Sequence, residues 1–266
     1  GKNNSFFYIF SNLGCKVTIF FVTLQTFNQK TTMLHSLTQL SSLLSDLPKG
    51  QLFVLTDSHT KVHCLPLFAE SIGNFSYHLL TLEAGEVTKN LTSVQFVWDF
   101  LLKHHATREA VLVNLGGGMI TDLGGFAAAT YMRGIRFVNI PTTLLAMVDA
   151  SSGGKTGIDY NGIKNGIGTF TQPLATLIHP NFLRTLPATE LLSGFAEMLK
   201  HALIASPEEW IRLLQLTQEE LPQAQFVAAL SERGLLHNSI AIKEQVVAQD
   251  PREAGMRKIL NFGHTV

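Results

Sequence analysis

Residues 110–115 read Ala-Val-Leu-Val-Asn-Leu, with no polar alternation before Asn114, and run straight into Gly116-Gly117-Gly118. A strand of that kind is covered on both faces, the condition of a parallel sheet packed between helices. The next segment, 120–130, is rich in Gly and Ala and fits a closely packed helix. Strand, glycine turn and helix together form the geometry that sets a pyrophosphate on a helix N-terminus, because glycines let backbone amides approach an anion. The spacing is not the G-x-G-x-x-G dinucleotide fingerprint, and a tight turn explains a glycine triplet equally well.

The surrounding sequence keeps the same alternation. Leu37, Leu40, Leu43 and Leu44 are spaced for a helix, 51–56 is a short apolar strand ending at Asp57, and 62–69 can be helical. A strand at 77–82 precedes a helix over 91–103 with Val94, Phe96, Val97, Phe100 and Leu101 on one side, and 137–140 is a further strand. Strands alternating with helices predict βαβ units and a parallel sheet. After Pro187 the pattern turns helical: 189–205, 207–216, 223–249 and a start near Arg257, with Pro222 and Pro251 as separators. The expected architecture is a Rossmann-like α/β domain over 1–187 followed by an incomplete all-α domain over 188–266.

Twenty basic residues balance twenty acidic ones, which argues against a nucleic-acid face. Cys15 and Cys64 form no metal or disulfide pattern, as expected in a reducing cytoplasm. The first 45 residues hold Lys2, Lys16 and Lys30 but no acid before Asp46. The apolar run 17–22 falls far short of the ~18 residues of a membrane span, and no cleavage pattern follows it. It reads as a strand; the alternative is that residues before Met33 lie outside the fold.

The polar residues divide into two groups. Asp57 can accept ribose hydroxyls or cap a helix, and Thr142 and Thr143 can donate to a ligand or cap the next helix. Asp122, placed in the first helical turn, suits the helix dipole, and Glu86 and Lys89 lie on a loop before a helix. The second group, Arg133, Lys155, Lys164, Lys200, Lys243 and Arg257, suggests a pocket for a phosphate and a carboxylate. Glu197 stands three residues before Lys200 and four before His201, so it can pair with one or share a metal with the other. His264 follows Asn261-Phe262-Gly263 and on its own signifies little.

Together the blocks GEVTK (85–89), LGGGMITDLGGFAAATYMRG (115–134), PTTLLAMVDASSGGKTGID (141–159), KNGIGTF (164–170), GFAEMLKHALI (194–204), KEQVVAQDPREAG (243–255) and RKILNFGHT (257–265) resemble the 3-dehydroquinate synthase family of sugar phosphate cyclases. The resemblance runs from about residue 51 to the end. It implies NAD and a divalent metal, usually zinc with cobalt possible. The implied reaction converts 3-deoxy-D-arabino-heptulosonate 7-phosphate into 3-dehydroquinate and phosphate in the shikimate pathway. It further implies that Asp57, Glu86, Lys89, Gly117, Gly118, Asp122, Thr142 and Thr143 contact NAD, and that Glu197 and His264 hold the metal, with no ligand role for His201. Asp149, Lys155, Lys164, Asn165, Lys200, Lys243, Arg257 and Asn261 would line the substrate site, with Arg133 reaching the phosphate across a homodimer interface. In the family the histidine of the NFGHT block is followed four residues on by a second histidine, and later by another that completes the metal site. Ending at Val266, this chain is expected to bind metal weakly and turn over slowly. The competing readings are another cyclase of the same fold, a metal-dependent polyol dehydrogenase, and a fragment that only binds NAD.

Overall fold

The computed structural model describes residues 31–150, 153–250, 253 and 255–263. The run 17–22 and His264 therefore lie outside the described residues. The first half alternates strand and helix: β1 (Thr32–Leu34), α1 (Leu37–Leu44), β2 (Leu52–Asp57), α2 (Ser58–His63), α3 (Leu65–Ile72), β3 (His78–Leu82), α4 (Leu91–Lys103), β4 (Val111–Gly116), α5 (Gly118–Thr130) and β5 (Arg136–Pro141). A hairpin of β6 (Lys155–Tyr160) and β7 (Ile163–Phe170) comes next, then the short β8 (Ala175–Leu177). The remainder is helical: α6 (Ala188–Ala205), α7 (Pro207–Thr217), α8 (Gln223–Glu232) and α9 (Leu235–Gln249), ending in a 3-10 turn at Met256–Asn261.

Six strands make one parallel sheet in the order β1-β8-β5-β4-β2-β3. All of β2 and β4 is buried, as their unbroken apolar runs require. Alternate side chains of a strand enter opposite layers. Leu52 and Val54 join the core beneath α1, α3 and the C-terminal helices, while Phe53 and Leu55 join the one beneath α4 and α5. Leu213, Leu230, Leu236 and Ile240 of the helical part belong to the same core as Val113 and Val138 of the sheet, so apolar packing continues across Pro187. Each such fully buried side chain contributes about 1.5–3 kcal/mol of transfer free energy. Among the described residues no helix is long and apolar enough to cross a membrane.

Several local features depart from the sequence reading. The helix expected over 62–69 is two short ones, with Cys64 between them and Pro at the start of α3, where proline fits best. The helix expected over 223–249 breaks at Gly234, whose left-handed backbone (φ 71°) leads into α9. Phe96 is 58% exposed and belongs to the outer face of α4, not to its buried stripe. Asp122 falls beyond the first turn of α5, so the helix dipole does not account for it. The hairpin is the largest feature without a counterpart in the reading above. Asn161 and Gly162, both at positive φ, form its two-residue turn, the arrangement that matches strand twist.

Strand order reverses beside β2: β3 lies on one side of it and β4 on the other. That is the switch point at which α/β sheets open a crevice beyond the carboxyl ends of their strands. The packing of α5 against this crevice is tight. A Cβ on Gly124 would stand 2.0 Å from Asn114 Oδ1 and 2.9 Å from Leu55 Cδ2. Asn114 in turn donates through Nδ2 to Asn139 Oδ1 at 2.9 Å across the β4–β5 register. Gly124→Ala should therefore lower the unfolding free energy by about 1–3 kcal/mol through overpacking. Urea denaturation checks this, and a stability equal to that of the native chain would show that α5 can move away from the sheet.

Candidate active site

Two polar clusters lie at the carboxyl edge of the sheet. The first surrounds the N-terminus of α5. Gly117 is its N-cap and, among the described residues, no side chain caps the helix, so its first amides face the crevice with the positive end of the dipole. The triplet also serves packing: a Cβ on Gly116 would meet Ile120 at 2.6 Å, and one on Gly117 would meet Thr143 Cγ2 at 3.0 Å. Thr142 donates its backbone N–H to Gly116 O at 3.0 Å, and its buried Oγ1 has no hydrogen-bond partner among the described residues. Thr143 Oγ1 accepts from Ala146 N–H and caps the π-helical turn Ala146–Ala150. Asp57, at the end of β2, accepts from the His59 and Thr60 amides at 2.9 Å each and is the N-cap of α2.

Lys89 joins this cluster to the hairpin. It is buried, and its Nζ donates to Asp122 Oδ2 and to Asn165 Oδ1, each at 2.7 Å. Asn165 adopts a left-handed backbone (φ 53°), and its N–H donates to Asp159 Oδ1 at 2.7 Å. Burial pushes the Asp122 carboxyl up to about 6; Lys89 pulls it down, and Asp149 and Glu86 push it further up. Glu86 is half-exposed, 3.8 Å from Lys89 Nζ and 3.6 Å from that of the exposed Lys164.

The second cluster combines α6, α9, the π-helical turn and the 3-10 turn. Lys243 of α9 is 4% exposed, and its Nζ reaches both the carbonyl and the carboxylate of Asp149. Burial pushes Asp149 up, but the Lys243 ammonium, with Lys200 behind it, holds it below the usual carboxylate range. On α6, Lys200 Nζ lies 2.6 Å from Glu197 Oε1 and donates to Leu260 O at 2.6 Å. His201 Nε2 stands 3.2 Å from the same Oε1, off hydrogen-bonding angle. Burial and Asp149 push Glu197 up, while His201 and Lys200 bring it net below its ordinary range. The buried Arg257 guanidinium lies 3.4 Å from Gly153 O, and burial lowers its pKa. Gly153 must lack a side chain there, because a Cβ would fall 2.6 Å from that guanidinium. Lys155 pairs with Glu253, and Glu253 also accepts from Asn261 Nδ2 at 2.7 Å.

Asp149, Glu197 and His201 offer ligand atoms that all lie within 4.8 Å of one another. Carboxylate and imidazole donors suit zinc or cobalt, so the residues present fit a divalent cation. His201, given no ligand role by the resemblance, is thus the described histidine at Glu197. Arg133 is exposed at positive φ after α5 and joins neither cluster. Three participants had no signal in the sequence reading: Glu253, Asn139 and Ser239, which meets His201 from 38 residues away.

The sequence profile of the 3-dehydroquinate synthase N-terminal domain matches residues 79–193, and that of the C-terminal domain matches 194–266. The 3-dehydroquinate synthase of Parabacteroides distasonis is 46% identical over 228 residues, covering 86% of this chain and 63% of its own length. That of Enterococcus faecalis is 45% identical over 192 residues, covering 72% of this chain and 52% of its own. The chain thus spans between half and two thirds of these relatives. Among solved structures, the 2-epi-5-epi-valiolone synthase ValA of Streptomyces hygroscopicus, with NAD+ and Zn2+ bound, superposes with a TM-score of 0.75 at 28% identity, over 91% of this chain and 68% of that one. A 2-deoxy-scyllo-inosose synthase shares the fold with a TM-score of 0.71 at 22% identity, over 88% of this chain and 64% of that one. With both family profiles matched in order and a glycine-capped crevice beside a buried lysine–carboxylate cluster, the chain belongs to the 3-dehydroquinate synthase family.

Proposed function

We propose that this chain carries the site at which 3-deoxy-D-arabino-heptulosonate 7-phosphate becomes 3-dehydroquinate and phosphate, with NAD and a divalent cation, zinc before cobalt. The observation that carries the reading is the convergence of Lys200, Lys243 and Arg257 on the Asp149–Glu197 pair, close enough to the α5 crevice for Asp149 to act on Asp122.

The α5 amides of Gly117 and Gly118 would take the pyrophosphate, with Lys89, Asp122, Thr142 and Thr143 around them and Asp57 and Glu86 at the rim. Glu197 would hold the cation. NAD supplies a hydride acceptor and donor, and the cation polarises a hydroxyl. The remaining work falls to side chains. Lys243 and Arg257 each hold an oxygen of the chain, the Asp149 carboxylate and the Gly153 carbonyl, and a substrate carboxylate would take the same kind of contact. That requirement favours a sugar acid over a sugar phosphate without a carboxylate. Lys155 is half-exposed; burial, Arg257 and Lys243 lower its pKa, which suits it to pass a proton to a departing group. Lys164, Asn165 and Asn261 would complete the wall. Arg133 would reach the phosphate from a second copy. A homodimer would also cover Met132, Ile163 and Phe170, all of which are exposed. A cytoplasmic location accords with this reading.

Phosphate release from the heptulosonate phosphate, measured with NAD and zinc, tests the assignment. Turnover should proceed without net NADH at the nicotinamide band. Lys243→Met should lower it by about 100-fold or more, the scale for a lost charge contact in the transition state. One NADH accumulating per sugar consumed would instead identify a dehydrogenase.

Isothermal titration with cobalt in the presence of NAD tests the cation. Glu197→Gln should abolish the heat of binding and leave NAD binding in place, and an unchanged cobalt isotherm would remove Glu197 from the site.

The Asp122 carboxyl gives a pH signature. Held at about 6 against 3.8 for the ordinary group, it retains in the folded chain a proton that the unfolded chain releases. Its contribution to stability is present below pH ~4 and lost as pH rises through about 6. Over that window the native chain should lose up to about 3 kcal/mol more than Asp122→Asn by urea denaturation. Parallel pH profiles would show that Lys89 keeps the carboxylate ionised throughout.

A further inference from the structure

The three-membered group at Glu197 leaves open what its histidine does. His201 has no exposed surface and lies one helical turn after Glu197 on α6. Its two ring nitrogens meet different partners: Nδ1 is 2.9 Å from Ser239 Oγ on α9, and Nε2 is 3.2 Å from Glu197 Oε1. A neutral imidazole carries one N–H and one lone pair, and a carboxylate oxygen only accepts. A lone pair on Nε2 would face the electron density of Oε1 at that distance. Placing the proton on Nε2 turns the contact into attraction and leaves Nδ1 as the acceptor. The Ser239 hydroxyl then donates to Nδ1. Ser239 is buried and makes no other side-chain hydrogen bond among the described residues, so this partner fixes its proton as well.

The geometry points to His201 as the positioning residue of Glu197, with Ser239 setting its tautomer, and not as a ligand of the cation. Lys200 Nζ and His201 Nε2 of α6 both approach Oε1, at 2.6 Å and 3.2 Å, and so fix how the Glu197 carboxylate is turned. To bind a metal through Nε2 the ring would have to move its proton to Nδ1, and the buried Ser239 hydroxyl would have to turn its own proton away from its acceptor. The inference rests on the proposed cation role of Glu197, but the tautomer can be read without any metal.

The test begins with long-range proton–nitrogen NMR of the full chain labelled with nitrogen-15, with the His201 signals assigned by their loss in His201→Gln. Nε2 should appear protonated and Nδ1 unprotonated; a proton on Nδ1 alone, or on both nitrogens, would overturn the proposal. The second measurement is cobalt affinity by competition with a chromophoric chelator. Ser239→Ala should weaken binding about 10-fold to 100-fold, the range for groups that orient a metal ligand, and Ser239→Thr should restore it. His201→Gln, whose amide can still donate to Oε1, should stay within about 3-fold of the native chain with an unchanged visible spectrum, whereas loss of an imidazole ligand would alter the spectrum and cost far more. An unaltered affinity in Ser239→Ala would overturn the relay. Thermal melting shows that each variant folds. A native chain that binds no cobalt would defeat the functional reading and the positioning role together, leaving the tautomer assignment as a separate result.

Discussion

The pair of the buried Lys243 with the partly exposed Asp149 is the contact on which the site's geometry depends. It joins the middle of α9 to the turn that leaves β5, and so joins the helical layer to the edge of the sheet. The buried Lys243 could not stand there without its carboxylate partner. An isolated ammonium at that depth would carry an uncompensated desolvation cost, so removing the carboxylate is destabilising. The pair also sets the charge around it: Asp149 stays ionised, which bears on Glu197, Asp122 and Lys155 in turn.

Much of this architecture was legible in the sequence because it rests on burial. The strands at 51–56 and 110–115 read as unbroken apolar runs, and both lie fully inside the sheet as β2 and β4. The Gly-Ala segment after the glycine triplet is the closely packed helix expected, and the positions of Gly124 and Gly194 show how little space remains around it and around α6. Helices α6 and α7 begin and end within one residue of the spans read from periodicity. The residues quoted for the family resemblance fall in the two clusters, apart from Arg133, the exposed Lys164, and His264 beyond the described residues.

What could not be read has physical reasons. Strand β7 is exposed along almost its whole length, so no apolar alternation marks it; Asn161-Gly162 was the available signal. Gly234 sits inside a continuous helical pattern, and only its left-handed backbone reveals a break. Ser239 and Glu253 act through partners 38 and 98 residues away, a proximity that periodicity cannot encode. Asp122 was placed against the helix dipole, whereas its neighbour is a lysine from a different loop, brought there by the packing of the loop on α5.

Lys89 has one ammonium and two hydrogen-bond acceptors, the Asp122 carboxylate on the crevice side and the amide of Asn165 on the hairpin. A bound anion that drew this ammonium toward itself would slacken its hold on Asn165, a residue whose backbone is already wound in the left-handed sense and steadied by Asp159. One side chain thereby makes occupancy of the crevice and the set of the hairpin a shared degree of freedom, with no moving domain required.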